Sequence, residues 1–240
     1  MSDALDRLVF ALDVSDPAAA LSLAERLAGE LRWIKVATTL FTRAGPELIG
    51  ALRGMGYSVF LDLKFHDIPA QVHGACASAA ALGVGLLTVH ASGGPEMLRQ
   101  AAAGAADGAK EAGVAPPTVL AVTALTSLDQ ADLAAVGVAA PLPDHVLRLA
   151  TLARECGCGG VVASPQELTL LRPALPAPFG ILTPGIRPAG SPAGDQKRVL
   201  TPGQAIAAGA DWLVVGRPIR NADDPVAATR AIAAEIAAAG

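Results

Sequence analysis

Short runs of apolar, often β-branched residues alternate along the chain with longer stretches rich in Ala and Leu, and the two kinds of segment imply different backbones. The short runs predict strands at Leu8–Leu12, Trp33–Val36, Ser58–Leu63, Leu86–Val89, Thr118–Val122, Gly160–Ala163, Gly180–Leu182 and Trp212–Val215. The longer stretches predict helices over Pro17–Leu31, Pro46–Arg53, Ala70–Leu82, Pro95–Ala112, Pro143–Glu155, Thr201–Ala208 and Pro225–Ala238. Pro17 and Pro46 stand where a first helical turn tolerates a missing N–H, and Gly83, Gly113 and Gly209 stand where helices stop. Eight strand–helix units in 240 residues average about 30 residues each, the size of a βα repeat in a closed barrel.

A doubly wound open sheet is the competing architecture, and the placement of polar residues separates the two. An open sheet concentrates its chemistry at one switch point, whereas a (β/α)8 TIM barrel collects it at the C-terminal ends of many strands. Here almost every predicted strand ends in a polar group: Asp13, Lys35, Asp62 with Lys64, His90, Thr123, Ser164, Thr183, and Gly216 with Arg217. No Pro/Ser-rich linker or charge run divides residues 1–240, so a single (β/α)8 barrel domain is expected. Its longest irregular stretch, Pro184–Arg198, lies late in the pattern.

Composition agrees and narrows the function. The chain is 52% hydrophobic but only 3% aromatic, as expected when helices cover both faces of buried parallel strands. A formal net charge of −4 supplies no global attraction to nucleic acid or anionic membrane, so any anionic ligand must be held by a local pocket. The start MSDALDRLVFALD has no basic region followed by a long apolar run, and no later stretch reaches the roughly 18 apolar residues of a spanning helix. Neither signal peptide nor membrane anchor is expected, and the protein is expected to be soluble and cytoplasmic. Cys76, Cys156 and Cys158 are odd in number and lack zinc-type spacing, so they read as buried or semi-buried free thiols.

The densest chemistry lies in Phe60-Leu61-Asp62-Leu63-Lys64-Phe65-His66-Asp67-Ile68-Pro69. Residues two apart on a strand share a face, so Asp62 and Lys64 are expected to point together into the barrel mouth while Leu61 and Leu63 face the helices. Burying opposite charges costs several kcal/mol of hydration per ion, which Coulomb attraction only partly restores. A satisfied ion pair filling the barrel is the bland alternative; barrel interiors, however, are normally layered with Val, Ile and Leu. With Lys35 ending the neighbouring strand and Asp67 just beyond this one, four alternating charges are expected to meet.

The pattern Asp62-x-Lys64-x-x-Asp67 in the context LDLKFHDIP resembles the signature of the orotidine 5′-monophosphate decarboxylase family. Other blocks agree in order: ALD at 11–13, Lys35, HASGG at 90–94, AVTALTS at 121–127, TPGIRP at 183–188, GDQKR at 194–198 and VGRPI at 215–219. Together they span Ala11 to Pro225. The short motif is shared with related barrels acting on sugar phosphates, including 3-keto-L-gulonate 6-phosphate decarboxylase. Those use Mg²⁺ and carry a Glu where this chain has Lys35, so the resemblance implies the branch that works without metal or organic cofactor.

The same resemblance implies roles for individual residues. Lys64 would be the fixed positive charge beside C6 of the orotate ring, stabilising the carbanion left by CO2 and then protonating it. Asp62 would lie near the departing carboxylate, and Asp67 would reach across a homodimer interface into the partner's site. Asp13 and Lys35 resemble ribose-hydroxyl contacts, with Lys35 also linked to Asp62, and Thr126 resembles the contact to the pyrimidine end. Gly216 and Arg217 would grip the phosphate after strand eight, under a lid carrying Arg187 and Gln196 in Pro184–Arg198. Ile68 and Gln71 complete the implied substrate-binding set. Gln71 is also the departure: the family usually has Asn-Thr after Asp-Ile-Pro, and here Ala70-Gln71 stands there, so an amide would have to replace the hydroxyl.

His66 and His90 read as packing or supporting residues and His73 and His145 as surface helix residues, because no three of them have metal-ligand spacing. Ser92-Gly93-Gly94 reads as a tight turn rather than a phosphate loop, since it lacks the P-loop Lys. Two rival functions remain: a Mg²⁺-dependent sugar-phosphate barrel, against which Lys35 counts, and a nucleotide-binding barrel that has lost catalysis, against which the complete set Lys35, Asp62, Lys64 and Asp67 counts.

Overall fold

The computed structural model describes residues 2–188 and 200–239. Its strands are β1 (Leu8–Ala11), β2 (Trp33–Ala37), β3 (Ser58–Phe65), β4 (Leu86–His90), β5 (Thr118–Val122), β6 (Gly160–Val162), β7 (Gly180–Thr183) and β8 (Trp212–Val215). They pair in parallel in sequence order, and β1 pairs with both β2 and β8, which closes the barrel and excludes the open sheet.

Alternation along each strand divides the apolar side chains between two cores. Leu8, Phe10, Ile34, Val36, Val59, Leu61, Leu87, Val89, Ile181 and Leu213 point outward into the layer shared with the helices. Val9, Ala11, Phe60, Leu86, Leu120, Val122, Val162, Leu182 and Val214 point inward and fill the barrel, with Trp33 and Trp212 packed against them from the N-terminal end of the strands. The tryptophans need space that other strands must yield. A Cβ at Gly180 would lie 2.4 Å from the Trp212 ring, and one at Gly160 would lie 2.5 Å from the Gly180 carbonyl oxygen. These two glycines therefore allow bulky rings to close one end of the barrel while the other end stays open for polar groups.

The helices follow the expected stretches with corrected ends. Asp16 caps Pro17–Arg26 by accepting from the Ala18 and Ala19 N–H groups, and this helix stops five residues earlier than the pattern suggests, before Gly29, which has φ +81°. Pro46 is the cap of Glu47–Gly54 rather than its first residue. The periodicity did not reveal the short helices Ser2–Arg7, Thr38–Ala44, Gln130–Ala135, Leu168–Ala174 and Arg217–Arg220. With one or two turns apiece they carry too little periodic signal, and packing on the barrel decides their backbone. Among the described residues no helix is long and apolar enough to cross a membrane.

Gly160→Ala tests the packing at the closed end of the barrel. Its methyl would meet a backbone oxygen that cannot rotate away, so the variant should lose about 1–3 kcal/mol of stability, the usual cost of overpacking, measured by urea unfolding.

Candidate active site

The inward-facing positions change from apolar to polar at the C-terminal end of the barrel. Above Phe60 and Leu86 come Asp62 and Thr88, and beside them stand Lys35 on β2 and Asp13 just past β1. These side chains form one chain of alternating charge. Lys35 Nζ lies 3.0 Å from Asp13 Oδ1 and 3.4 Å from Asp62 Oδ2, and Lys64 Nζ lies 2.8 Å from Asp62 Oδ1. The Lys35 and Asp62 side chains are only 9% and 10% exposed, whereas the two ends of the chain open to the mouth: Asp13 is 49% exposed and Lys64, the ammonium that faces it, is 32% exposed. Burial pushes the Asp62 carboxyl up, but the charges of Lys35 and Lys64 and the hydrogen bonds from Lys64 and Thr88 outweigh it and hold the carboxyl below its usual 3.8.

Lys64 reaches this position by a route that strand alternation does not foresee. Between Leu61 and Phe65 the pairing of β3 with β4 shifts register, and Lys64 takes φ +54°, in the left-handed region. It is the one non-glycine residue there among the described residues, in a conformation costing of order 1–3 kcal/mol that persists only where its surroundings enforce it. Its backbone N–H donates to Thr88 Oγ1 at 3.0 Å, and the Thr88 hydroxyl donates to Asp62 Oδ1 at 3.0 Å. Leu61 and Leu63 face the helix layer as expected.

A cavity of about 490 Å³ opens over this chain, within the usual range for a small-molecule site. Of the residues named from the sequence, Asp13, Lys35, Asp62, Lys64, Thr126, Arg187, Gly216 and Arg217 line it. Arg187 is buried, and its Nη1 donates to the Ile186 carbonyl at 2.9 Å. Gln196 lies outside the described residues. Asp67, Ile68 and Gln71 are exposed beside the cavity rather than in it. Asp67 makes no ion pair among the described residues; its Oδ1 accepts from the Ile68 N–H at 2.6 Å. The expected meeting of four charges is therefore corrected within one chain: Asp13, not Asp67, is the fourth member, because the chain turns outward after Phe65.

Sequence reasoning missed two contributors. Arg220 lines the cavity, and its Nη1 donates to the Asp13 carbonyl. Its signal was the second Arg of VVGRPIR, which one helical turn brings to the same face as Arg217. Thr88 had no signal beyond an even position on β4. Counted with Arg220, five cationic side chains face the two carboxylates Asp13 and Asp62 in the cavity, which makes it a receptor for an anion.

The histidines and cysteines stay outside this chemistry. The His66 and His90 rings pack at a 32° tilt with centroids 5.4 Å apart, and burial, His66 and Lys64 together push His90 below its usual 6.5 against an opposing pull from Asp62. His73 pairs with Asp107 on the surface, and His145 contacts Arg148. All three thiols are buried, and burial pushes Cys76 and Cys158 up to about 12. Among the described residues no group of three His, Cys, Asp or Glu side chains is placed to hold a metal ion.

A closed parallel barrel with a cationic cavity over a buried Lys–Asp chain defines a (β/α)8 barrel enzyme for a small anionic substrate. Comparison with known proteins gives the family. Residues 6–232 match the model of the orotidine 5′-phosphate decarboxylase / HUMPS family, and the chain belongs to that family. An orotidine 5′-phosphate decarboxylase of Parasynechococcus marenigrum (strain WH8102) is 52% identical over 232 residues, covering 96% of this chain and 94% of that protein. Another, from Halorhodospira halophila, is 52% identical over 234 residues, covering 98% and 97%. The crystal structure of orotidine 5′-phosphate decarboxylase from Lactobacillus acidophilus superposes with a TM-score of 0.87 at 38% identity, covering 96% of this chain and 99% of that one.

Asp62 links the site to stability. Because its folded carboxyl is held below 3.8, its contribution is fully present above that pH and is lost as the pH falls through the lowered value. Asp62→Asn should cost roughly 2–4 kcal/mol at neutral pH, since Lys35 keeps only Asp13. The gap from wild type should narrow as the pH is taken below 3.8, where wild-type Asp62 begins to take up its proton. Urea unfolding across this pH range reads the difference.

Proposed function

We propose that this barrel decarboxylates orotidine 5′-monophosphate to uridine 5′-monophosphate in pyrimidine biosynthesis, with Lys64 as the group that meets the reacting carbon. The observation that carries the reading is the chain Asp13–Lys35–Asp62–Lys64, buried at Lys35 and Asp62, which presents one ammonium at the mouth with its position held from behind. Loss of CO2 from C6 leaves an electron pair in the plane of the ring, where the ring π system cannot spread it. A preorganised positive charge beside C6 is the available stabilisation, and it is effective because little reorganisation is needed at the moment of reaction. The Lys64 ammonium supplies that charge and then its proton, which forms the new C6–H bond and leaves Lys64 neutral until it takes a proton from water. Asp62, ionised beside it, fixes the ammonium and is assigned a place near the departing carboxylate.

The rest of the cavity is assigned by chemistry. The cationic side chains outnumber the carboxylates by three, which matches a substrate bearing one carboxylate and a phosphate dianion. Arg217 and the Gly216 N–H, after β8, are assigned to the phosphate, together with Arg187 and Arg220 from the cavity lining and with Gln196. Asp13 and Lys35 are assigned to the ribose hydroxyls and Thr126 to the pyrimidine. Lys35 also bears on the sugar-phosphate alternative: the position at which those relatives carry a carboxylate for Mg²⁺ is an ammonium here, already held by two aspartates. The chain is read as one barrel domain acting in the cytoplasm without a cofactor.

Asp67, Ile68 and Gln71 belong in this reading to the site of a second copy. Asp67 is exposed beside an Ile68 that is 64% exposed, and neither lines its own cavity, as expected of an interface segment. The active unit is then a homodimer with shared sites, Asp67 serving the partner's Lys64 and Gln71 taking the place of the family's threonine.

Purified protein should convert orotidine 5′-monophosphate to uridine 5′-monophosphate, followed by ultraviolet absorbance; no turnover by folded protein would overturn the reading. Arg217→Ala should lower kcat/KM at least about 100-fold, about 3 kcal/mol, because binding energy from the unreactive phosphate organises the reacting end. Orotidine without its phosphate should be a very poor substrate and much less sensitive to the same change. Equal proportional losses for both substrates would refute the phosphate assignment.

The shared site has its own test. Lys64→Ala and Asp67→Ala chains should each be nearly inactive alone. Mixed after subunit exchange, they should regain activity in proportion to the mixed dimer, since one crossed site then carries both lesions and the other none. Persistent inactivity with exchange verified would sink the shared site and leave the decarboxylase reading standing.

A further inference from the structure

We propose that Thr88 is a positioning residue for Lys64: its hydroxyl ties the backbone of that lysine to the carboxylate that holds the lysine's ammonium. The inference rests on the reading of Lys64 as the reacting group and extends it to a residue on the neighbouring strand. Thr88 lies on β4 with no exposed surface, at an inward position directly above Leu86. A hydroxyl has one proton to give and two lone pairs to receive with. Here the Lys64 N–H occupies a lone pair at 3.0 Å, and the proton goes to Asp62 Oδ1 at 3.0 Å. That same oxygen takes the Lys64 ammonium at 2.8 Å. The contacts close a ring: Lys64 N–H to Thr88, Thr88 to Asp62, Lys64 Nζ to Asp62. Both ends of Lys64 are thereby referred to one carboxylate.

The ring explains two features together. Strand pairing shifts register where Lys64 adopts φ +54°, so its N–H bonds to a side chain instead of a neighbouring strand's carbonyl. The left-handed backbone is held by a contact specific to the site, as such conformations require. Packing alone does not call for the hydroxyl, because valine fills the same volume and barrel interiors favour it. A threonine at this position adds a donor and an acceptor, and both are used within the charged chain.

The test compares Thr88→Val, Thr88→Ser and Thr88→Cys in the dimeric enzyme. Loss of a hydrogen bond to a charged group predicts a fall in kcat of about 10- to 100-fold for Thr88→Val. KM and the affinity for uridine 5′-monophosphate should change by less than about threefold, since the contact bears on the reacting end and not on the phosphate end. Thr88→Ser restores both hydrogen-bonding functions and should recover most of kcat despite the missing methyl. A kcat for Thr88→Val within about twofold of wild type would overturn the proposal. So would equal losses for Ser and Val, which would assign the effect to the methyl group and packing. If Thr88→Val does not fold, Thr88→Cys decides: the thiol is a weak donor and acceptor, so kcat should rank Thr and Ser above Cys, and equal kcat for all three would overturn the role. Lys64→Ala separates this inference from the reading beneath it. Activity retained in Lys64→Ala would remove the reading itself, whereas an inactive Lys64→Ala beside a fully active Thr88→Val would remove only the role of Thr88.

Discussion

Asp62 is a carboxylate in a place where barrels put aliphatic side chains, and the arrangement of the mouth follows from keeping it ionised there. With 7% of its surface exposed, it cannot rely on water, so each oxygen must find protein partners. Lys64 and Thr88 meet Oδ1 and Lys35 approaches Oδ2. Those partners come from three adjacent strands, β2, β3 and β4, and Asp13, which completes the pairing of Lys35, comes from the end of β1. One buried charge thus commits four successive strand ends to a fixed relative geometry. Such an arrangement is poor value for stability compared with a packed apolar layer, which is why it points to chemistry.

The barrel tolerates that layer because its other layers are dry. Trp33 and Trp212 close the opposite end, and Phe60, Leu86, Leu120, Val122, Leu182 and Val214 fill the middle. The apolar interior keeps water from reaching the aspartate–lysine chain from below and leaves the cavity as its opening to solvent. Low local polarity strengthens each interaction within the chain. The strained backbone of Lys64 belongs to the same design: the register shift turns the chain outward after Phe65, which leaves the Lys64 ammonium inside and carries Asp67 and Ile68 to the surface. A single local irregularity thereby separates the part of the motif that serves its own cavity from the part proposed to serve another.

Much of this was legible in the residues. The eight strands, the closed-barrel architecture and most long helices follow from apolar runs, Ala-rich stretches and punctuating Pro and Gly, because those signals report local backbone preference and burial. The polar residue at almost every strand end marked the mouth, and eight of the twelve site residues named from the motif line the cavity. Most of what stayed hidden had no local signature. Short helices such as Thr38–Ala44 and Leu168–Ala174 depend on packing against the barrel. Thr88 resembles any strand threonine until β3 and β4 are paired, and the role of Arg220 emerges only when β8 closes against β1.

The sequence by itself determined the fold class, the polarity of the barrel mouth and the family to which the motif around Asp62 and Lys64 points, since periodicity, composition and a spaced motif are properties of the linear chain. The tertiary structure decided which charges actually meet. It placed Asp13 rather than Asp67 in the chain's own cavity, put Lys64 in a left-handed backbone that strict alternation would not allow, and joined Thr88 to Lys64 and Asp62. Those outcomes depend on strand register and on the register shift in β3, and register is set by the closure of all eight strands together, which no single segment encodes.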